Sequence, residues 1–347
     1  MDFTPTQEQD EARALAARIF GDLATPERLA GCGTGGDPEL WKALCGAGLV
    51  AAVEELGLLG LVLLLEEQGR TTAQVPYAAT CVHGLLALTA HGTPDQRDRL
   101  LPGIGDGSVV VSGALPAQGG VRASSQGELT GTVPVVPWLR EATHVLVADD
   151  HRRLWLAPLG EGTTVTPVEL TAPWSAGRLT LEGARAERIG EEPDPDGPHA
   201  YADHLATARV AFAGLQAGVC AGSLARAVAH VNGREQFGRP LATRQAVQLR
   251  AADAHLDTEA IRVTAYEAAW RRDAGLPYAT HALTAAWWAS EAGRRVVHAG
   301  QHLHGGAGAD LDHPVHRHFL WGRQLDAYLG CGAEVLQELG ELIANGE

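Results

Sequence analysis

The sequence predicts an α+β multidomain protein that is mostly α. It falls into an N-terminal helical domain over residues 1–105, a middle antiparallel β-barrel over 106–197 and a C-terminal four-helix bundle over 198–347. Three observations carry this. Apolar residues recur at helical spacing as far as Leu101, short β-branched runs broken by Gly, Pro and Asp replace them between 108 and 189, and long Ala-rich helical stretches resume near Tyr201. A chain of 347 residues also exceeds one typical core, and 5% aromatics with 42 glycines suit closely packed helices better than an aromatic-rich sandwich.

Thr4-Pro5-Thr6-Gln7 reads as a helix start, and Ala12, Leu15, Ala16, Ile19 and Phe20 follow at helical spacing. Residues 30–37 are a Gly-rich loop. Gly31 and Gly33 give part of a nucleotide-loop pattern, but no strand precedes them, so a dinucleotide fingerprint is not supported. Residues 39–65 are helical with a break near Gly46-Ala47-Gly48 or Gly57, and 73–101 holds two helices separated at His91-Gly92-Thr93-Pro94. Strands are expected over 108–115, 128–136, 143–148, 153–157, 163–170 and 178–189, and 191–198, with three prolines, reads as a linker. Helices over 201–232, 243–273, 278–300 and 323–344 complete the chain. Apolar stripes of that length call for a partner subunit.

The formal net charge of −15 argues against nucleic acid and against an anionic membrane surface, both of which demand a basic face. Five scattered cysteines without a C-x-x-C pair read as reduced thiols, and Lys42 as the only lysine reads as compositional bias toward arginine. The acidic, polar start lacks the segments of a signal peptide, and the longest apolar run, 58–65, is too short to span a bilayer. A soluble cytoplasmic protein is the expectation.

Two stretches carry chemistry. The first, from Arg234 to Gln245, reads R-E-Q-F-G-R-P-L-A-T-R-Q. The Arg234 guanidinium offers a fork to a pyrophosphate, Phe237 a face to an adenine, and Gln245 an amide to a nucleotide, with Gly238-Arg239-Pro240 ending the helix. On spacing alone the same residues also describe a helix terminus whose arginine complements the dipole. The second stretch, H-L-H-G-G-A-G, begins at His302, and Gly305, Gly306 and Gly308 let a phosphate approach the main chain. His302, His304, His313, His316 and His318 alternate like metal ligands, but they lie between helices, and hydrogen-bonded or solvated imidazoles are the better reading, with no metal site.

These stretches resemble the R-x-x-F-G and Q-x-x-G-G-x-G signatures of the acyl-CoA dehydrogenase family, FAD enzymes that desaturate acyl-CoA thioesters. The helix–strand–helix order extends the resemblance over nearly the whole chain. It implies that Arg234, Phe237, Gln245, His302, Gly305, Gly306 and Gly308 contact the FAD of a neighbouring subunit. The glutamine position of the second signature falls on His302, with Gln301 one place earlier. The family's catalytic glutamate has two homes, and here they hold Leu329 and Ala208, neither of which can take a proton. Glu334 and His204 lie near those positions as substitutes. Ala114-Leu115-Pro116-Ala117-Gln118-Gly119-Gly120 keeps the proline of the family's first flavin loop but not its threonine, glutamate or serine. No hydroxyl residue occurs between Thr132 and Thr143 for the second, and Trp138 is expected to pack in the core.

The surfaces lent to a neighbour's FAD are thus retained, while the chain's own flavin and base positions are degraded. That asymmetry resembles the base-lacking β-type chain of the α2β2 acyl-CoA dehydrogenases of actinobacterial steroid catabolism. The resemblance implies a non-catalytic subunit that completes the FAD site of a glutamate-bearing paralogue. The substrate would be a steroid side-chain acyl-CoA oxidised to the trans-2-enoyl-CoA, with an electron-transfer flavoprotein as one acceptor. Two other readings stay open: a self-sufficient homo-oligomer with an atypical base, and a flavin-free scaffold or non-redox thioester-binding homologue.

Overall fold

The computed structural model describes residues 2–115, 120–190 and 200–345. The chain forms two compact units, one of Met1–Pro26, Leu58–Ala73 and Arg209–Glu347, the other of Glu27–Gly57 and Gln74–Ala208. The order is helices, strands, helices, as the sequence predicts.

In the first unit α1 (Gln7–Leu23) starts at Thr6, whose side chain closes a capping box with Gln9. The apolar run at 58–65 belongs to α4 (Val53–Thr71), which is interrupted at Gly57, φ 72°. The helix restarts because the Asp273 carboxylate accepts the Leu58 and Leu59 amides at 2.9 and 2.8 Å, filling the role of a cap from the far end of the chain. This half of α4 is buried against α8 (Ala200–Gly233) at backbone contact: a Cβ on Gly218 would stand 2.1 Å from the Glu66 carbonyl oxygen. Glu66, with its side chain fully buried, binds Arg262 of α9 (Gln245–Asp273) through both oxygens, at 3.2 and 3.1 Å. Arg13 of α1 adds a third contact at 3.5 Å. The charge pairs therefore fix which helices surround α4. The bundle is completed by α10 (Ala279–His304), α11 (Val315–Leu325) and α12 (Gly332–Asn345). The single helix expected over 323–344 is two helices, broken where Leu329 and Gly330 take positive φ of 64° and 111°.

The second unit begins with α2 (Pro26–Gly31), which occupies the start of the expected Gly-rich loop, and α3 (Pro38–Gly46), capped by Asp37. Next, α5 (Tyr77–Ala79) runs through a π-helical stretch, Thr80–Leu86, into α6 (Ala87–His91). After that, α7 (Pro94–Asp106) restarts at Thr93 with a second capping box.

The strands build two four-stranded sheets. One has the order β1 (Val111–Ala114), β4 (His144–Ala148), β5 (Leu154–Pro158), β8 (Glu187–Ile189). The other runs β2 (Val121–Ala123), β3 (Glu128–Val136), β7 (Gly177–Arg185), β6 (Thr163–Pro167). Their inner faces share one core, with Leu129, Val136, Leu179 and Leu181 from one sheet meeting Val145, Val147, Trp155 and Ala157 from the other. Two features depart from the expected antiparallel barrel. β1 pairs with β4 in parallel, and the strand expected over 178–189 switches sheets at Ala186. β2, too short to announce itself, was not anticipated. The expected linker at 191–198 and the loop at 116–119 lie outside the described residues.

Candidate functional site

The R-x-x-F-G stretch does not end a helix at Gly238. α8 already stops at Gly233, and β9 (Glu235–Gln236) and β10 (Arg239–Pro240) fold into a two-residue hairpin. Its turn residues, Phe237 and Gly238, both have positive φ, 54° and 75°, as a type I′ turn requires. That conformation is ordinary for glycine and costly for phenylalanine, and it holds the Phe237 ring 91% exposed. Behind the ring the Arg244 guanidinium lies 5.3 Å from its centroid and donates to the Gln236 carbonyl at 3.3 Å. The Arg244 Nε is buried and has no hydrogen-bond partner among the described residues. Arg234 is exposed beside the hairpin, and Gln245 is exposed as the first residue of α9.

The second stretch adjoins the first because of a small apolar cluster. Ala227 and Val231 of α8 pack with Leu303 of α10, and Leu241, Ala242 and Val247 cover them. His302, exposed, and His304, buried, are therefore in the last helical turn, not in a loop as expected. Gly305 caps α10 at φ 63°, and Gly305–Ala309 forms a 3-10 turn. Gly305 and Gly306 are open to solvent, with nothing within 4 Å of where a side chain would begin. Gly308 is buried, and a Cβ there would come within 2.4 Å of the Gln301 carbonyl oxygen. Gln301 also turns its amide onto the Gly308 carbonyl at 3.2 Å, so the glutamine next to His302 braces its own loop.

A pocket of about 470 Å³ opens between the two stretches, lined by Arg226, His230, Arg234, His304, His313 and Pro314 among others. All seven sequence-predicted binding residues thus belong to one unit, on elements around one apolar cluster. The sequence reading missed Arg226, His230 and Arg244, and has His313 as a solvated or hydrogen-bonded histidine without placing it at this pocket. Arg226 and His230 stand four apart on α8, and Arg234 follows at the same spacing just past its end, a signal that the helical period alone carries.

At the two glutamate homes there is no ionisable group. Ala208 is fully buried on α8, and Leu329 is 3% exposed with its carbonyl held by the Arg209 Nε at 3.2 Å. Arg209 in turn grips Glu338 through two hydrogen bonds of 2.9 and 2.8 Å. The substitutes are otherwise engaged. The Glu334 carboxylate accepts the Cys331 amide, and His204, 1% exposed, meets His83 at 3.0 Å, where burial pushes the His83 imidazole down to about 3.

Comparison with known proteins decides the family. Residues 196–339 match the model for the C-terminal domain of acyl-CoA dehydrogenases, and residues 6–108 that for the N-terminal domain. The Mycobacterium tuberculosis acyl-CoA dehydrogenase FadE27 is 33% identical over 99% of both chains. The chain belongs to the acyl-CoA dehydrogenase family. Among solved structures of such enzymes, the Tcur3481–Tcur3483 steroid acyl-CoA dehydrogenase (G363A variant) gives a TM-score of 0.92 at 41% identity over 98% of each chain. The Mycobacterium tuberculosis ChsE4–ChsE5 complex gives 0.91 at 31% identity over 99% of each chain. The butyryl-CoA dehydrogenase of Megasphaera elsdenii, at 22% identity and a TM-score of 0.86, shares the fold.

Acyl-CoA dehydrogenases generally bind FAD, and the residues present fit its nucleotide end. An outward aromatic face, an arginine without an ion pair among the described residues, and a glycine turn with open space over its backbone are what an adenine and a pyrophosphate require. The flavin end is served differently. Trp138 is 1% exposed and stacked on Trp174 at 4.4 Å, a core pair as expected, and residues 116–119 of the first flavin loop lie outside the described residues.

Proposed function

We propose that this chain is the non-catalytic subunit of a heteromeric FAD-dependent acyl-CoA dehydrogenase, completing the FAD site of a glutamate-bearing paralogue in an α2β2 assembly. One observation carries the reading. Arg234, Phe237, Gln245, His302, Gly305 and Gly306, all suited to a nucleotide tail, are exposed, while both glutamate homes are apolar and buried. Arg234 would bind the pyrophosphate through its fork, Phe237 would stack on the adenine, and Gln245 would bond the nucleotide. The main chain at Gly305, Gly306 and Gly308, with His302 beside it, would lie along the phosphates. When bound, FAD supplies a hydride acceptor for the acyl β-carbon. With no base of its own, this chain positions the cofactor and leaves removal of the α-proton to a carboxylate of the partner.

A partner also suits the bundle surface. Leu249, Leu256 and Val263 recur every seventh residue on α9 and are 57%, 67% and 47% exposed, an apolar stripe of the kind that a second helix covers. It borders a groove of about 740 Å³ lined by Asp253, Asp257, Arg295 and His298. One similar structure is a steroid acyl-CoA dehydrogenase and another a two-protein complex, which supports a steroid side-chain CoA as substrate and a paralogous partner. We place the complex in the cytoplasm, with an electron-transfer flavoprotein as acceptor.

The test is purification of the chain alone and after co-expression with a glutamate-bearing paralogue. The expected result is little or no FAD on the isolated chain, and flavin with dehydrogenase activity in the complex. A yellow, active homo-oligomer would overturn the subunit reading, and a colourless complex would overturn the cofactor reading.

A further inference from the structure

The residues assigned above leave the inner wall of the nucleotide pocket unexplained. Arg226 is half-buried there, with no hydrogen bond or ion pair to a carboxylate among the described residues. Around it stand three imidazoles. His230 stacks on His304 with ring centroids 4.7 Å apart at 28°, and His313 meets His304 edge-on at 4.9 Å. His304 is fixed by its Nδ1, 2.7 Å from the Gly300 carbonyl, and His313 by the Val315 amide, which donates to its Nδ1 at 3.2 Å. A file of cationic and imidazole side chains lining a solvent-open pocket, with no carboxylate among them, suits a phosphate anion.

We propose that Arg226 and the His230–His304–His313 cluster form a proton-coupled extension of the nucleotide-tail site, so that entry of the FAD pyrophosphate draws a proton onto the imidazoles and the chain holds FAD more tightly as pH falls. This rests on the reading of the tail site given above. Burial first, and then the charges of neighbouring histidines and Arg226, hold His304 and His313 below the ordinary histidine range. A bound dianion reverses the second cause. The groups that face the cluster are Arg226 and His230 from α8, Arg234 just past its end, His304 from α10, and Asp310, His313 and His316 from the segment that follows. Of these residue types, only imidazole ordinarily changes charge between about pH 5 and 8. An anion raises the bound-state value above the free one. The gain in affinity is therefore complete below the free-state value and lost as pH rises through the bound-state value.

The experiment uses the complex of this chain with its glutamate-bearing partner. FAD binding is measured by equilibrium dialysis from about pH 6 to 8, and proton uptake by titration calorimetry in two buffers of different ionisation enthalpy. One coupled proton changes Kd by up to about tenfold per pH unit, so a rise of at least roughly fivefold is expected across the range, with net proton uptake in the acid half. His304 is buried, so the variants are His230→Gln and His313→Gln at half-buried positions, each expected to flatten the slope and reduce the proton uptake. FAD binding that is equally pH-dependent in wild type and both variants, or independent of pH throughout, overturns the inference and leaves the tail site intact. Absence of FAD binding at every pH refutes the tail site itself and the inference with it.

Discussion

Arg234→Ala separates binding from folding. The hydrogen bonds that tie this residue to the protein are made by its backbone: the amide donates to the His230 carbonyl at 2.8 Å, and the carbonyl accepts the Leu241 amide at 2.9 Å. Alanine keeps both, and the lost side chain is exposed, so stability should stay within about 0.5 kcal/mol of wild type. The guanidinium's contribution to a pyrophosphate is a charge-assisted, forked contact. Its removal should cost about 2–3 kcal/mol, or roughly 30- to 150-fold in Kd. Arg234→Lys keeps the charge without the fork and should fall between the two. The assay is equilibrium dialysis of FAD against the co-expressed complex, followed by flavin absorbance, with a thermal melt of each variant alongside. A Kd within about twofold of wild type would show that the fork is not on the phosphates, since the smallest contact of this kind is worth more than that. A large fall in Tm would instead make the residue structural.

Three further outcomes follow from individual geometries. Phe237→Gly removes the cost of a positive φ, about 1–2 kcal/mol, against an entropic penalty of about 0.5–1 kcal/mol, so urea unfolding should show a neutral to slightly more stable protein that binds FAD less well. A clear loss of stability there would mean that the ring packs against this chain. Gly218→Ala places a methyl where only 2.1 Å separates it from the Glu66 carbonyl, and should destabilise by about 3 kcal/mol or more. A midpoint unchanged in denaturant would refute the contact between α4 and α8. His318 is fully enclosed and held near 4, below the ordinary 6.5, chiefly by burial. A depressed folded value means its contribution is present above about 6.5 and lost as pH falls through about 4, a swing of roughly 3 kcal/mol. His318→Gln, which retains a donor for the Arg70 carbonyl, should flatten the acid limb of the stability profile.

How much of this was legible in the sequence depends on how local the cause is. β3 occupies the expected 128–136, and the expected helix over 243–273 is α9, because alternation and helical period are written in neighbouring residues. The hairpin at 235–240 was read as a helix end, since no propensity argument assigns a positive φ to Phe237. The break between α11 and α12 was missed for the same reason, with Leu329 in the left-handed region ahead of Gly330. The motif residues were found because their chemistry is their signature. Arg226 and His230 were not, because what brings their side chains to the second stretch is the packing of Leu303 on Val231, a contact some seventy residues apart in the chain.

Leu329 offers the strongest argument about what the chain has kept and what it has lost. Its φ of 64° is unfavourable for a leucine, and the fold nonetheless holds it there through Arg209, which donates to the Leu329 carbonyl while its other nitrogens grip Glu338. The backbone of the glutamate position is therefore maintained by contacts that do not involve the side chain at 329. A glutamate at this enclosed position would have to be neutralised or paired, whereas leucine needs no partner there. If 329 is the base position, as the proposed reading has it, leucine there removes an electrostatic burden without disturbing the loop. On the reading proposed here, the function lost with the glutamate is one that a second chain supplies, and the surface left to this chain is the one that reaches toward that second chain's cofactor.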